Sequence, residues 1–154
     1  SPVFLAGRSA NLMTMAADTL VSCCHNVLTT DAEWPPYRDI LCHAAVRAKK
    51  HVSVTPIISA VLAGKLPAIS LVDHLVKTYK SQHCDGLFIS DITFLGIRLP
   101  VRHIVERLCQ TANPPKFVVV DGAQAANQCP LRLSPTFCDV YLMSTQKWLR
   151  AFQP

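Results

Sequence analysis

The 154 residues predict a single α/β domain, a three-layer α/β/α arrangement around a mainly parallel sheet. Three observations carry that prediction. Short apolar runs dominated by β-branched and aromatic residues recur along the chain, and stretches of helical spacing separate them. No repeat or low-complexity linker interrupts the alternation. Finally, two of the runs end in polar chemistry: Val118-Val119-Val120 delivers Asp121-Gly122, and Val140-Tyr141-Leu142-Met143 delivers Ser144-Thr145-Gln146-Lys147-Trp148.

Taken in order, Val3 to Ala6 reads as a short strand and Gly7-Arg8-Ser9 as a turn. Ser9 is placed to cap a helix running through Asn11, Leu12, Met15, Ala16 and Leu20. Asn26 to Thr30 is a second strand. It ends in Asp31-Ala32-Glu33-Trp34-Pro35-Pro36, where two prolines force an extended loop and let a helix begin after them, from about Tyr37 to Ala48. His51 to Pro56 is a third strand. Ile69 to Ser81 has helical spacing, with Leu71, Leu75, Val76 and Tyr79 on one side. Gly86 to Ser90 is a fourth strand, and Pro100 to Thr111 is a helix after the Gly96–Leu99 turn. Lys116 to Asp121 and Asp139 to Ser144 are the last two strands.

Composition narrows the function classes. Half the residues are apolar and 16% are charged, the balance of a folded, well-buried chain. The net charge of +5 is spread out, with Arg47-Lys49-Lys50 the only local cluster. Nucleic-acid binding calls for a basic stripe interleaved with aromatic residues, and none is present. The mild excess suits an anionic cofactor or substrate. No apolar run reaches the roughly 18 residues of a membrane span. Seven irregularly spaced cysteines without a signal peptide indicate reduced thiols in the cytoplasm. Cys23-Cys24-His25 lacks a second ligand pair, so no metal site is expected. A nucleotide-binding domain is disfavoured by the absence of G-x-G-x-x-G and P-loop motifs.

The chemistry concentrates at Asp121 and Lys147. Parallel strands present their carboxyl ends along one edge, where ligands bind, so both residues are expected to face one crevice. A buried acid and a buried amine are what a pyridoxal phosphate (PLP) enzyme needs. The lysine forms the Schiff base, and the carboxylate keeps the pyridine nitrogen protonated. The bland readings are a solvated lysine beside Trp148 and a turn aspartate before Gly122. Gly7-Arg8-Ser9, at a strand-to-helix junction, suits a phosphate.

The segments Asp121-Gly122-Ala123-Gln124-Ala125 and Ser144-Thr145-Gln146-Lys147-Trp148-Leu149 resemble the cofactor signature of the class V aminotransferase family. That group lies within the fold type I PLP enzymes and includes cysteine desulfurases. The resemblance implies that Lys147 and Asp121 are catalytic. It also implies that Gln124 bonds the cofactor's phenolic oxygen, that Ser9, Ser144 and Gln146 approach the phosphate, and that Trp34 stacks on the ring. A core glutamine at 124 and a loop anchor at Trp34 are the alternatives. Ser90-Asp91-Ile92-Thr93-Phe94-Leu95-Gly96 departs from the family pattern, with Asp91 where histidine is usual. The resemblance further implies an amino-acid substrate, a homodimer, and a reaction of the transferase or desulfurase–lyase type. In that family the first strand pairs only with a seventh. Residues 1–154 therefore read as a partial large domain, cut at both ends, with the small C-terminal domain absent and Val3 to Ala6 without a neighbour. The alternative is a non-catalytic fragment or degenerate PLP-fold module with an assembly role.

Overall fold

A computed structural model describes residues 3–126, 128–130 and 136–144 of the chain. The elements follow in the order α1 (Ser9–Cys23), β1 (Asn26–Thr30), α2 (Pro35–Ala48), β2 (His51–Thr55), α3 (Ile58–Leu62), α4 (Ala68–Ser81), β3 (Gly86–Ser90), α5 (Val101–Cys109), β4 (Phe117–Asp121) and β5 (Val140–Leu142). The five strands form one sheet in the order β2-β1-β3-β4-β5, and every pairing is parallel. The mainly parallel α/β fold expected from the sequence is therefore present.

Residue alternation builds the two faces. Leu28, Leu87, Ile89, Val118 and Val120 share one core with Leu71, Leu75 and Tyr79 of α4 and Ile104 and Leu108 of α5. Val27, Phe88, Val119 and Leu142 point the other way, into a core with Met13, Ala17 and Leu20 of α1 and Leu41 and Ala45 of α2. A strand buried on both faces is what a continuous apolar run encodes. One close approach fixes α1 on the sheet: a Cβ at Gly86 would lie 2.6 Å from the Cys24 sulfur and 3.3 Å from Leu20. The end of α1 thus packs at the amino edge of the sheet, and its Ser9 end lies toward the carboxyl edge.

Four sequence expectations need correction. Val3 to Ala6 is not a strand: it takes no regular structure, and Val3 and Leu5 are 84% and 90% exposed. A strand exists only by pairing, and among the described residues none lies beside it. Ser9 is not the cap of α1. Arg8 takes the extended cap conformation without a side-chain bond, and Ser9 is already helical. The two prolines open α2 rather than precede it, since a missing N–H costs nothing in a first helical turn. Lastly, α3 lies where no helix was expected. The carboxylate of Asp31 accepts the Ile57 and Ile58 N–H groups at 2.7 and 3.2 Å and so ties this five-residue helix to the end of β1.

No helix among the described residues is long and apolar enough to cross a membrane. All seven cysteines are unbridged, and Cys24, Cys84 and Cys138 are buried.

Candidate active site

The connection after β1 leads outward to β2, while the connection after β3 leads the opposite way to β4. A crevice at such a reversal, outside the carboxyl ends of the strands, is where ligands bind in open α/β sheets. Its walls here are the β1–α2 and β3–α5 loops.

Asp121 ends β4 on this edge and is 7% exposed. Its Oδ1 accepts the Ala123 N–H at 2.9 Å, which holds the carboxyl in the turn. Gly122 is required by crowding, because a Cβ there would lie 2.0 Å from the ring of Tyr141. The Tyr141 hydroxyl in turn donates to Asp91 Oδ2 at 3.0 Å. Burial, together with the neighbouring Asp91 charge, holds the Tyr141 phenol protonated well above its ordinary range. Beside the aspartate, β5 carries the chain past Leu142, the register partner of Asp121, to a buried Ser144.

The opening of α1 completes the wall. Ser9 is partly buried and lies within hydrogen-bonding reach of the Tyr37 phenol of α2. Burial raises the Tyr37 pKa, the Ser9 contact opposes that rise, and the charge of Asp121 adds to it. Ser9, Tyr37 and Asp121 are therefore neighbours across three elements. Gly7 and Arg8 precede them as exposed residues at the helix start.

Other predicted residues stand apart. Trp34 is 49% exposed at the start of α2, edge-on to Phe94 with centroids 6.3 Å apart. Gln124 is partly buried in the turn after Asp121. Gln146 and Lys147 lie outside the described residues. Thr93, in the segment that departs from the family pattern, accepts the Ile97 N–H at 3.2 Å and so serves its own loop. A cavity of about 600 Å³ is lined by Asp91 and Arg98 of the β3–α5 loop with Arg102, His103 and Phe137. Neither Asp121 nor Ser9 lines it.

The sequence reading missed Glu33. This carboxyl is completely buried and held by two hydroxyls, Thr30 on Oε1 at 2.8 Å and Ser90 on Oε2. No local signal marked it, since an acidic residue three positions past a strand reads as part of a polar loop.

No protein-family model matches the sequence, and no curated protein matches it. Solved structures do. A K223A mutant of C-DES, with glycine covalently linked to its PLP cofactor, superposes on 92% of the chain at 24% identity and a TM-score of 0.67. The chain shares that fold. Ureidoglycine–glyoxylate aminotransferase from Bacillus subtilis covers 90% at 16% identity and a TM-score of 0.65. Alanine–glyoxylate aminotransferase from Nostoc sp. covers 90% at 19% and 0.63. The chain spans 37%, 33% and 34% of the lengths of these three. At such identities the likeness establishes the fold, and it agrees with the family resemblance of the two cofactor-like segments.

Proposed function

We propose that the chain holds PLP and belongs to an enzyme that acts on an amino acid through Lys147, of the class V aminotransferase or desulfurase–lyase kind. The observation that carries this reading is Asp121, a buried carboxyl at the end of β4 beside the point where the sheet's connections reverse. The donor set fits the cofactor. A carboxylate suits a cationic ring nitrogen, and the Ser9 and Ser144 hydroxyls with the open first turn of α1 suit a phosphate. When bound, the cofactor supplies an electron sink.

The residues divide the remaining work. Asp121 keeps the ring nitrogen protonated, and the Ala123 N–H orients its carboxyl. Gly7, Arg8 and Ser9 meet the phosphate from α1, with Ser144 and Gln146 on the other side. Gln124 bonds the phenolic oxygen, and Trp34 covers the ring. Because an indole carries no titratable proton, proton transfer falls to Lys147. The same family reading makes the protein a cytoplasmic homodimer with an amino-acid substrate.

The test is chemical. Borohydride reduction of the protein with PLP, followed by peptide mapping, should place the pyridoxyl group on Lys147. Labelling of Lys65 or Lys116 instead would overturn the assignment, and failure to retain PLP would favour a non-catalytic assembly role.

A further inference from the structure

Glu33 joins two strands that never meet in sequence. Its partner Thr30 is the last residue of β1, and Ser90 is the last residue of β3. The carboxyl therefore bridges the two strands at the point where the connections reverse. Ser90 is also the register partner of Asp121, whose charge bears on Glu33. Tyr37 of α2 feels that same charge and reaches Ser9 of α1. The groups acting on Glu33 are thus hydroxyls from β1 and β3 and a carboxylate from β4.

We propose that Glu33 is a positioning residue for Asp121, a buried acid that clamps the crevice's two walls and whose proton answers to the charge at Asp121. Its bearing on catalysis rests on the PLP reading, whereas the clamp and its coupling to Asp121 do not. Burial is the main cause that pushes the Glu33 carboxyl up to about 7, with the Ser90 and Thr30 hydroxyls opposing and Asp121 adding to the rise. Two carboxylates in one site do not both ionise readily. A cation bound at Asp121 would remove that repulsion, and Glu33 would then release its proton more easily.

The chain has only two glutamates, Glu33 and Glu106. Carbon-13 glutamate labelling therefore gives two side-chain carboxyl resonances, and Glu106→Gln identifies the Glu33 signal. The expected midpoint in the cofactor-free protein is near 7. It should fall on Asp121→Asn, which removes the neighbouring charge. It should rise by about one unit on Ser90→Ala, which removes a donor to the ionised form. A midpoint in the ordinary carboxylate range, or one that neither variant moves, would overturn the proposal. Saturating PLP should lower the midpoint as Asp121→Asn does. If absorbance shows PLP bound and the midpoint stays put, the coupling stands but PLP does not place a cation at Asp121, and the function proposed above loses its central residue.

Discussion

Two buried carboxyls occupy opposite edges of the sheet, and they behave in opposite ways. Asp85, before β3 at the amino edge, accepts the His25 and Asn26 N–H groups at 2.8 and 2.9 Å and the Lys116 ammonium at 2.9 Å. Burial pushes its carboxyl up, but those donors more than offset it and hold it below the usual carboxylate range. Glu33, at the carboxyl edge, is held by neutral hydroxyls beside a second carboxyl and is pushed up instead. Burial raises both; at Asp85 the backbone donors and the Lys116 charge outweigh it, and at Glu33 burial prevails over the hydroxyls that oppose it. The amino edge is built as a fixed charge that fastens three strands. At the carboxyl edge the acid responds to whatever enters the crevice.

The comparison can be broken most forcefully at Asp85. Asp85→Ala should strip the acceptor from two backbone N–H groups and Lys116, costing roughly 4 kcal/mol of stability. Denaturant unfolding measures it, and a loss under about 1 kcal/mol would show that the amino edge is not fastened this way.

A pH series separates the two carboxyls by sign. The stability Asp85 contributes is present above its unfolded value and disappears as acid takes the pH down through its depressed folded value. Glu33 contributes fully below its unfolded value of about 4.3 and loses that contribution as the pH rises through about 7, on the order of 3 kcal/mol. Glu33→Gln should flatten the neutral-side limb and leave the acid-side limb in place. An unaltered neutral-side limb would contradict the assignment.

A smaller effect sharpens the picture at the carboxyl edge. Gly122→Ala should displace the Tyr141 ring and loosen its bond to Asp91, at a cost of about 2 kcal/mol. Thermal unfolding measures it, with near-neutral behaviour showing that the ring yields freely.

Strands β3 and β4 stood in the sequence as apolar runs, because burial on both faces leaves little choice of residue, whereas the edge strand β2 is mostly exposed or half-buried and mixed in composition. The helices at Ala68–Ser81 and Val101–Cys109 showed their 3.6-residue spacing equally well. What escaped depends on partners remote in the chain. Val3 to Ala6 has strand composition but no neighbour, and composition does not report pairing. The α3 helix is too short for periodicity and rests on Asp31, which precedes Ile57 by a whole helix and strand. Glu33 reads locally as one acid in a polar loop; only the fold brings Ser90 to it and closes water out. Within the site, Asp121 was legible because three valines precede it, while Tyr37 was read only as the first residue of a helix.

The strand order has a further consequence, for how the molecule forms. None of the described strand pairs is a hairpin, and even the shortest closure, from Val119 to Val140, encloses on the order of twenty residues. The longest brings Val27 to Gly86 across α2, β2, α3 and α4. Chain must therefore be gathered before any ladder hydrogen bond repays the lost entropy, which is the signature of slow folding. β1 pairs on both sides, with β2 and with β3, so the sheet cannot be assembled around it late. The reversal that opens the crevice is thus also the junction on which folding of the whole sheet turns.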